Sequence, residues 1–83
     1  MTNKTVLVID DSRTIRQLVS QTLESGGFDP VTAEDGAIGL ETFQTKRFDA
    51  VLTDINMPNV DGFGVREGIR RGQTNRKVPI LAL

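Results

Sequence analysis

The sequence predicts an α/β domain, a parallel sheet flanked by helices with its functional residues gathered along one edge. Three observations carry this expectation. The runs Val6-Leu7-Val8-Ile9 and Ala50-Val51-Leu52 are apolar and turn polar only at their C-terminal ends, the pattern of strands covered on both faces. Strand-like and helix-like segments alternate through short connections, as in βαβ units. Asp10 and Asp11 close the first run and Asp54 closes the second. Strands of one parallel sheet point the same way, so the three carboxylates should meet outside their carboxyl ends, where open α/β sheets bind ligands.

Each element has its own signal. Residues 5–9 form the first strand. A helix over 12–25 follows, with Ile15, Leu18, Val19, Thr22 and Leu23 on one apolar stripe. Ser12 is its N-cap, and Gly26-Gly27 supplies a left-handed stop. The second strand is expected at 28–33, and Pro30, which lacks an N–H for the ladder, makes it an edge strand. A second helix starts at Asp35-Gly36 and turns Ala37, Leu40 and Phe43 inward. The third strand spans 49–53 and leads into a loop over 54–60. Asp61 caps a third helix over 62–71 with Val65 and Ile69 inward, and 72–77 is a polar connection. The fourth strand is expected over 78–83, reached through Pro79. With strand two at an edge and right-handed crossovers, the spatial order is 2-1-3-4. The order reverses between strands one and three, where the three aspartates lie.

Composition narrows the chemistry. The 83 residues form one small domain, residues 1–83, and such a chain buries only roughly 60–65% of its unfolded surface. With 37% hydrophobic and 25% charged residues it is of ordinary globular composition. There is no Cys and no His, which excludes disulfides, thiolate metal sites, imidazole ligands and histidine general bases. A net charge of −1 gives no bulk attraction to nucleic acid or to anionic membrane. The N-terminal residues carry no signal-peptide core, and no apolar stretch is long enough to span a bilayer. A cytoplasmic location is expected.

Clustered carboxylates repel one another and suit a hard divalent cation. Two other acid-loop readings fail on particular residues. An EF-hand loop starting at Asp54 would need Gly and an acid where Asn59 and Val65 stand. A haloacid-dehalogenase-type phosphatase would have a second Asp where Asn56 stands. The basic run Arg66, Arg70, Arg71, Arg76 and Lys77 reads as a solvated surface with a Glu67–Arg71 pair, and without interleaved aromatics it does not suggest base stacking. Met57 and Phe63 read as loop packing and core.

Taken together, V-L-V-I-D-D-S-R, A-E-D-G-A and D-A-V-L-T-D-I-N-M-P-N-V-D-G resemble the CheY-like receiver domain of two-component response regulators, from Lys4 to Leu83. The Asp-Asp-Ser-Arg opening is most similar to the chemotaxis type. The resemblance implies a flavodoxin-like fold and a signalling module, not an enzyme. It further implies Asp54 as phosphoacceptor for a histidine kinase and Mg²⁺, or alternatively Mn²⁺, as cofactor. Asp11 and Asp54 would hold the ion through carboxylate oxygens, Asn56 through its backbone carbonyl, and Asp10 through water.

The family's domain has five strand–helix units, and this sequence ends in the fourth strand. The resemblance therefore implies a C-terminally truncated domain, without the family's switch Ser/Thr and conserved Lys; Lys46 and Lys77 lie in connections at the opposite ends of their strands. Phosphorylation of the 83-residue chain is expected to be weakly populated. Its fourth strand and first helix should self-associate, as a homodimer or higher homo-oligomer. The alternative is a self-associating structural fragment of the fold with no phosphorylation function.

Overall fold

Why the chain folds as it does is clearest from its first strand. In the computed structural model, which describes residues 3–54, 62–72, 75 and 77–83, β1 (Thr5–Ile9) is central. It pairs in parallel with β2 (Asp29–Ala33) on one side and β3 (Ala50–Thr53) on the other. β4 (Ile80–Ala82) pairs in parallel with β3, giving the order β2-β1-β3-β4. The helices are α1 (Arg13–Ser25), α2 (Gly36–Phe43) and α3 (Gly62–Arg71). The expected order and switch point are thus the observed ones. Pro30 sits on the edge strand β2 opposite Val6.

Alternation along β1 divides the interior. Leu7 and Ile9 lie on one face with Val51, and with Phe43 of α2, Val65 and Ile69 of α3, Phe48 and Val78 they form the main core. Phe43 and Phe48 stack with ring centroids 5.9 Å apart. Val6 and Val8 point to the opposite face, where α1 packs on β1 and β2. In-register pairing continues that face as the row Val8, Leu52, Leu81. Burial declines along it: Val8 is inaccessible, Leu52 is partly buried and Leu81 is 56% exposed.

Several expectations are corrected. The apolar stripe of α1 is present, but no residue of the helix is fully buried, and Ile15 and Leu18 are 39% and 55% exposed. The helix rests chiefly on β1 and β2, which leaves one flank of the stripe open. In α2, Ala37 is exposed and Gly36, Gly39 and Phe43 face inward. Gly39 packs so closely that a Cβ there would collide with the Ile9 side chain. A small residue was needed at that position, and the hydrophobicity pattern does not show it. β2 and β3 each begin one residue later than expected. β4 is limited to Ile80–Ala82, although Val78 is core and the Pro79 carbonyl already accepts from the Val51 N–H. The expected cap Asp61, Met57 and the Phe63 side chain lie outside the described residues.

The expected N-cap and C-terminal stop of α1 are observed, and α2 is capped as well. Ser12 Oγ accepts from the Ile15 N–H at 3.3 Å and Asp35 Oδ1 from the Ile38 N–H at 2.8 Å. α1 ends with bonds from the Gly27 N–H to the Glu24 carbonyl and from the Phe28 N–H to the Leu23 carbonyl. That is a Schellman motif, with Gly27 in the left-handed region at φ 87°.

Candidate functional site

The site is built where β1 and β3 end. The Asp54 N–H donates to the Ile9 carbonyl at 2.9 Å, continuing the ladder one step past Thr53 and bringing Asp54 beside the β1–α1 turn. In that turn the Asp10 N–H donates to the Ala33 carbonyl at 3.2 Å, which ties the residue to β2. Its carboxylate Oδ1 accepts from the Ser12 N–H at 2.8 Å, a side chain-to-backbone turn of the kind Asp favours. Its carbonyl accepts from Arg16 Nη1 at 2.6 Å. Asp10 is thus held at its N–H, its carbonyl and one carboxylate oxygen.

These bonds gather the expected acids. Carboxylate oxygens of Asp10, Asp11 and Asp54 all lie within 4.8 Å of one another. Asp10 is buried, Asp54 partly buried and Asp11 exposed, so the cluster opens from a dry floor to solvent. Burial is the main cause that pushes the Asp10 carboxyl above its ordinary range. The Ser12 N–H opposes that shift, and the charges of Asp54 and Asp11 reinforce it. The three side chains gather carboxylate oxygens in one place, and all three donors are hard oxygens. The residues present therefore fit a divalent ion of the Mg²⁺ type. Asn56, the fourth expected ligand, lies outside the described residues.

Two neighbours were not singled out from the sequence. Thr53 is buried beside the site, and its hydroxyl donates to the Asp54 carbonyl at 3.1 Å. Arg16 would have been legible only through the knowledge that the second turn of α1 folds back over the turn before it. A groove of about 460 Å³ runs beside the cluster between α1 and β2, lined by Arg13, Arg16, Gln17, Ser20, Gln21, Glu24 and Thr32. None of the three acids lines it, and the chemistry belongs to the acid cluster. The Glu67–Arg71 pair is present at 3.3 Å on exposed side chains, as expected of a solvated helix face.

The fold and this cluster define a class: a parallel α/β domain with an acidic pocket at its topological switch point. The chain belongs to the response regulator receiver domain family, whose model matches residues 6–83. It has a CheY-like fold. It is similar to the chemotaxis response regulator CheY4 of Vibrio cholerae, at 41% identity and a TM-score of 0.93 over 98% of this chain and 68% of that one. It is also similar to the receiver domain of sensor histidine kinase PA1611 from Pseudomonas aeruginosa (27% identity, TM-score 0.91, 98% of this chain and 66% of that one). That structure has a magnesium ion coordinated in its active site cleft. Among curated proteins, a probable transcriptional regulator ycf27 of Guillardia theta is 39% identical over 82 residues, 99% of this chain and 31% of that protein. The chain spans about a third of the length of the curated regulators it is similar to. Among the described residues, no helix is long and apolar enough to cross a membrane.

Proposed function

We propose that the chain is the phosphoacceptor module of a chemotaxis-type two-component system, receiving a phosphoryl group on Asp54 from a histidine kinase in the cytoplasm. The observation that carries this reading is the convergence of Asp10, Asp11 and Asp54 within 4.8 Å at the switch point. Asp54 stands at the end of a central strand, partly exposed, as a carboxylate nucleophile must be. One of its oxygens attacks phosphorus; the donor's P–N or P–O bond breaks, and the electron pair leaves with the donor. A mixed anhydride on Asp54 remains. Asp10 and Asp11 supply the negative charge that would hold Mg²⁺ (or Mn²⁺) together with Asp54 and the Asn56 carbonyl, Asp10 acting through water. A bound ion of this kind would offset the repulsion between an anionic nucleophile and an anionic phosphoryl group. The domain is a signalling module that is itself modified. The test is phosphorylation by a small phosphodonor with and without Mg²⁺, mapped to Asp54.

A second property concerns partners, and a separate observation favours it. β4 is an edge strand with Leu81 and Leu83 56% and 45% exposed, on a sheet row that runs toward the open stripe of α1. An uncharged apolar edge is a template for pairing with another strand. We propose that the 83-residue chain self-associates through β4 and the Ile15–Leu18 flank of α1, with two-fold symmetry. The family match does not favour the alternative of a purely structural fragment, because all three acids are present and brought together.

A further inference from the structure

We propose that Arg16 is a positioning residue of the acid cluster: by bonding the main-chain carbonyl of Asp10, it holds the β1–α1 turn in the conformation that turns Asp10 and Asp11 toward Asp54. The bond from Nη1 is 2.6 Å long and partly buried, short for a nitrogen donor and charge-assisted. Among the described residues it ties Asp10 to a side chain of another element, whereas the Ala33 and Ser12 partners are main-chain groups. The Ser12 N–H to Asp10 Oδ1 bond sits inside the same turn, so releasing the Asp10 carbonyl also loosens the carboxylate.

The placement of Arg16 is otherwise unfavourable. It lies one turn into α1, beside Arg13 at the first helical position, and the first turn carries no acid. Cations near a helix N-terminus oppose its macrodipole. Among the described residues Arg16 makes no ion pair with Glu24, the acid that lines the same groove. Its guanidinium bonds the carbonyl that joins β1 to the turn. A planar donor fork is suited to that task.

The functional consequence rests on the metal reading above, and the signs of two accounts differ. If Arg16 acted only as a nearby positive charge, its removal would strengthen cation binding. If it positions the turn, its removal weakens cation binding. Mg²⁺ affinity, measured by titration of the intact 83-residue chain, should fall roughly tenfold in Arg16→Met, the scale seen when the supports of metal ligands are removed. Arg13→Met, which removes an exposed charge from the same helix end, should bind within twofold of the parent. In the metal-free protein, amide exchange at Ser12 should speed up about tenfold in Arg16→Met and stay unchanged in Arg13→Met. Arg16→Gln, too short to reach the carbonyl, serves if Arg16→Met does not fold. Equal or tighter Mg²⁺ binding with unchanged Ser12 exchange overturns the proposal. A parent that binds no Mg²⁺ defeats the metal reading instead, and Ser12 exchange then decides the role of Arg16 by itself.

Discussion

Replacing Asp10 by Asn should stabilise the metal-free protein at neutral pH, although it removes a residue of the functional site. The amide keeps the shape of the side chain and an Oδ1 that can accept from the Ser12 N–H. What disappears is a buried charge facing two others within 4.8 Å. At that separation one pair repels by about 0.9 kcal/mol at the dielectric of water and about 3.5 kcal/mol at an effective dielectric of 20. Solvent reaches Asp11 and Asp54, so the lower end applies, and the weaker neutral bond to Ser12 offsets part of it. A net gain of about 1 kcal/mol remains, worth about 4–8 °C in a domain of this size. The pH dependence follows from the raised carboxyl. Ionising Asp10 costs the folded chain more than the unfolded one, so the parent loses stability as pH rises from the ordinary carboxylate value through the higher folded value. The advantage of Asp10→Asn is therefore full at pH 7 and vanishes below the ordinary value of 3.8, where Asp10 is protonated in both states. Thermal unfolding in chelator across that range is the assay. A variant no more stable than the parent at pH 7, or an advantage that persists unchanged in acid, would refute the reasoning.

Other perturbations give separate outcomes. Mg²⁺ should raise the melting temperature of the parent by mass action on the folded state; Asp11→Asn should abolish the shift and Glu24→Gln on α1 should leave it, read by thermal scans with and without the ion. Gly39→Ala should destabilise by about 1–3 kcal/mol in denaturant titration, because its Cβ meets the fully buried Ile9 on a central strand. Gly68→Ala should be neutral or stabilising by up to about 1 kcal/mol, because its Cβ meets the flexible end of the partly buried Leu40. Leu81→Lys should dissociate the self-associated chain in light scattering at high micromolar concentration; a stable compact monomer of the parent there would end the association proposal.

Much of the fold was legible because its signals are local. The runs after Thr5 and before Asp54, the Ser12 cap, the start of α2 at Asp35-Gly36 and the Gly26-Gly27 stop each depend on a few neighbouring residues, and each appears as read. The strand order followed from Pro30, one donorless residue that assigns β2 to an edge, together with the right-handedness of crossovers. What was misread depends on distant partners. Ala37 looked like an inward residue until the approach of α2 to Ile9 selected glycine for that face. Val78 read as strand, but its burial comes from the core beneath it, whereas β4 begins at Ile80. Asn75, in a stretch read only as polar connection, takes φ 53° and donates to the Phe48 carbonyl at 2.7 Å, stitching that connection to the segment before β3. In the site, the acids were visible because strand polarity fixes where they go, whereas Arg16 was not, since its partner is a backbone carbonyl with no residue identity to read.

The central claim is that the three acids make Asp54 a phosphoacceptor. Its most direct measurement is intact-mass spectrometry of the 83-residue chain incubated with acetyl phosphate. The expected result is a single phosphoryl adduct, weakly populated, that requires Mg²⁺, maps to Asp54 and is absent from Asp54→Asn. No adduct at saturating donor and Mg²⁺, or an adduct that survives in Asp54→Asn, would contradict it.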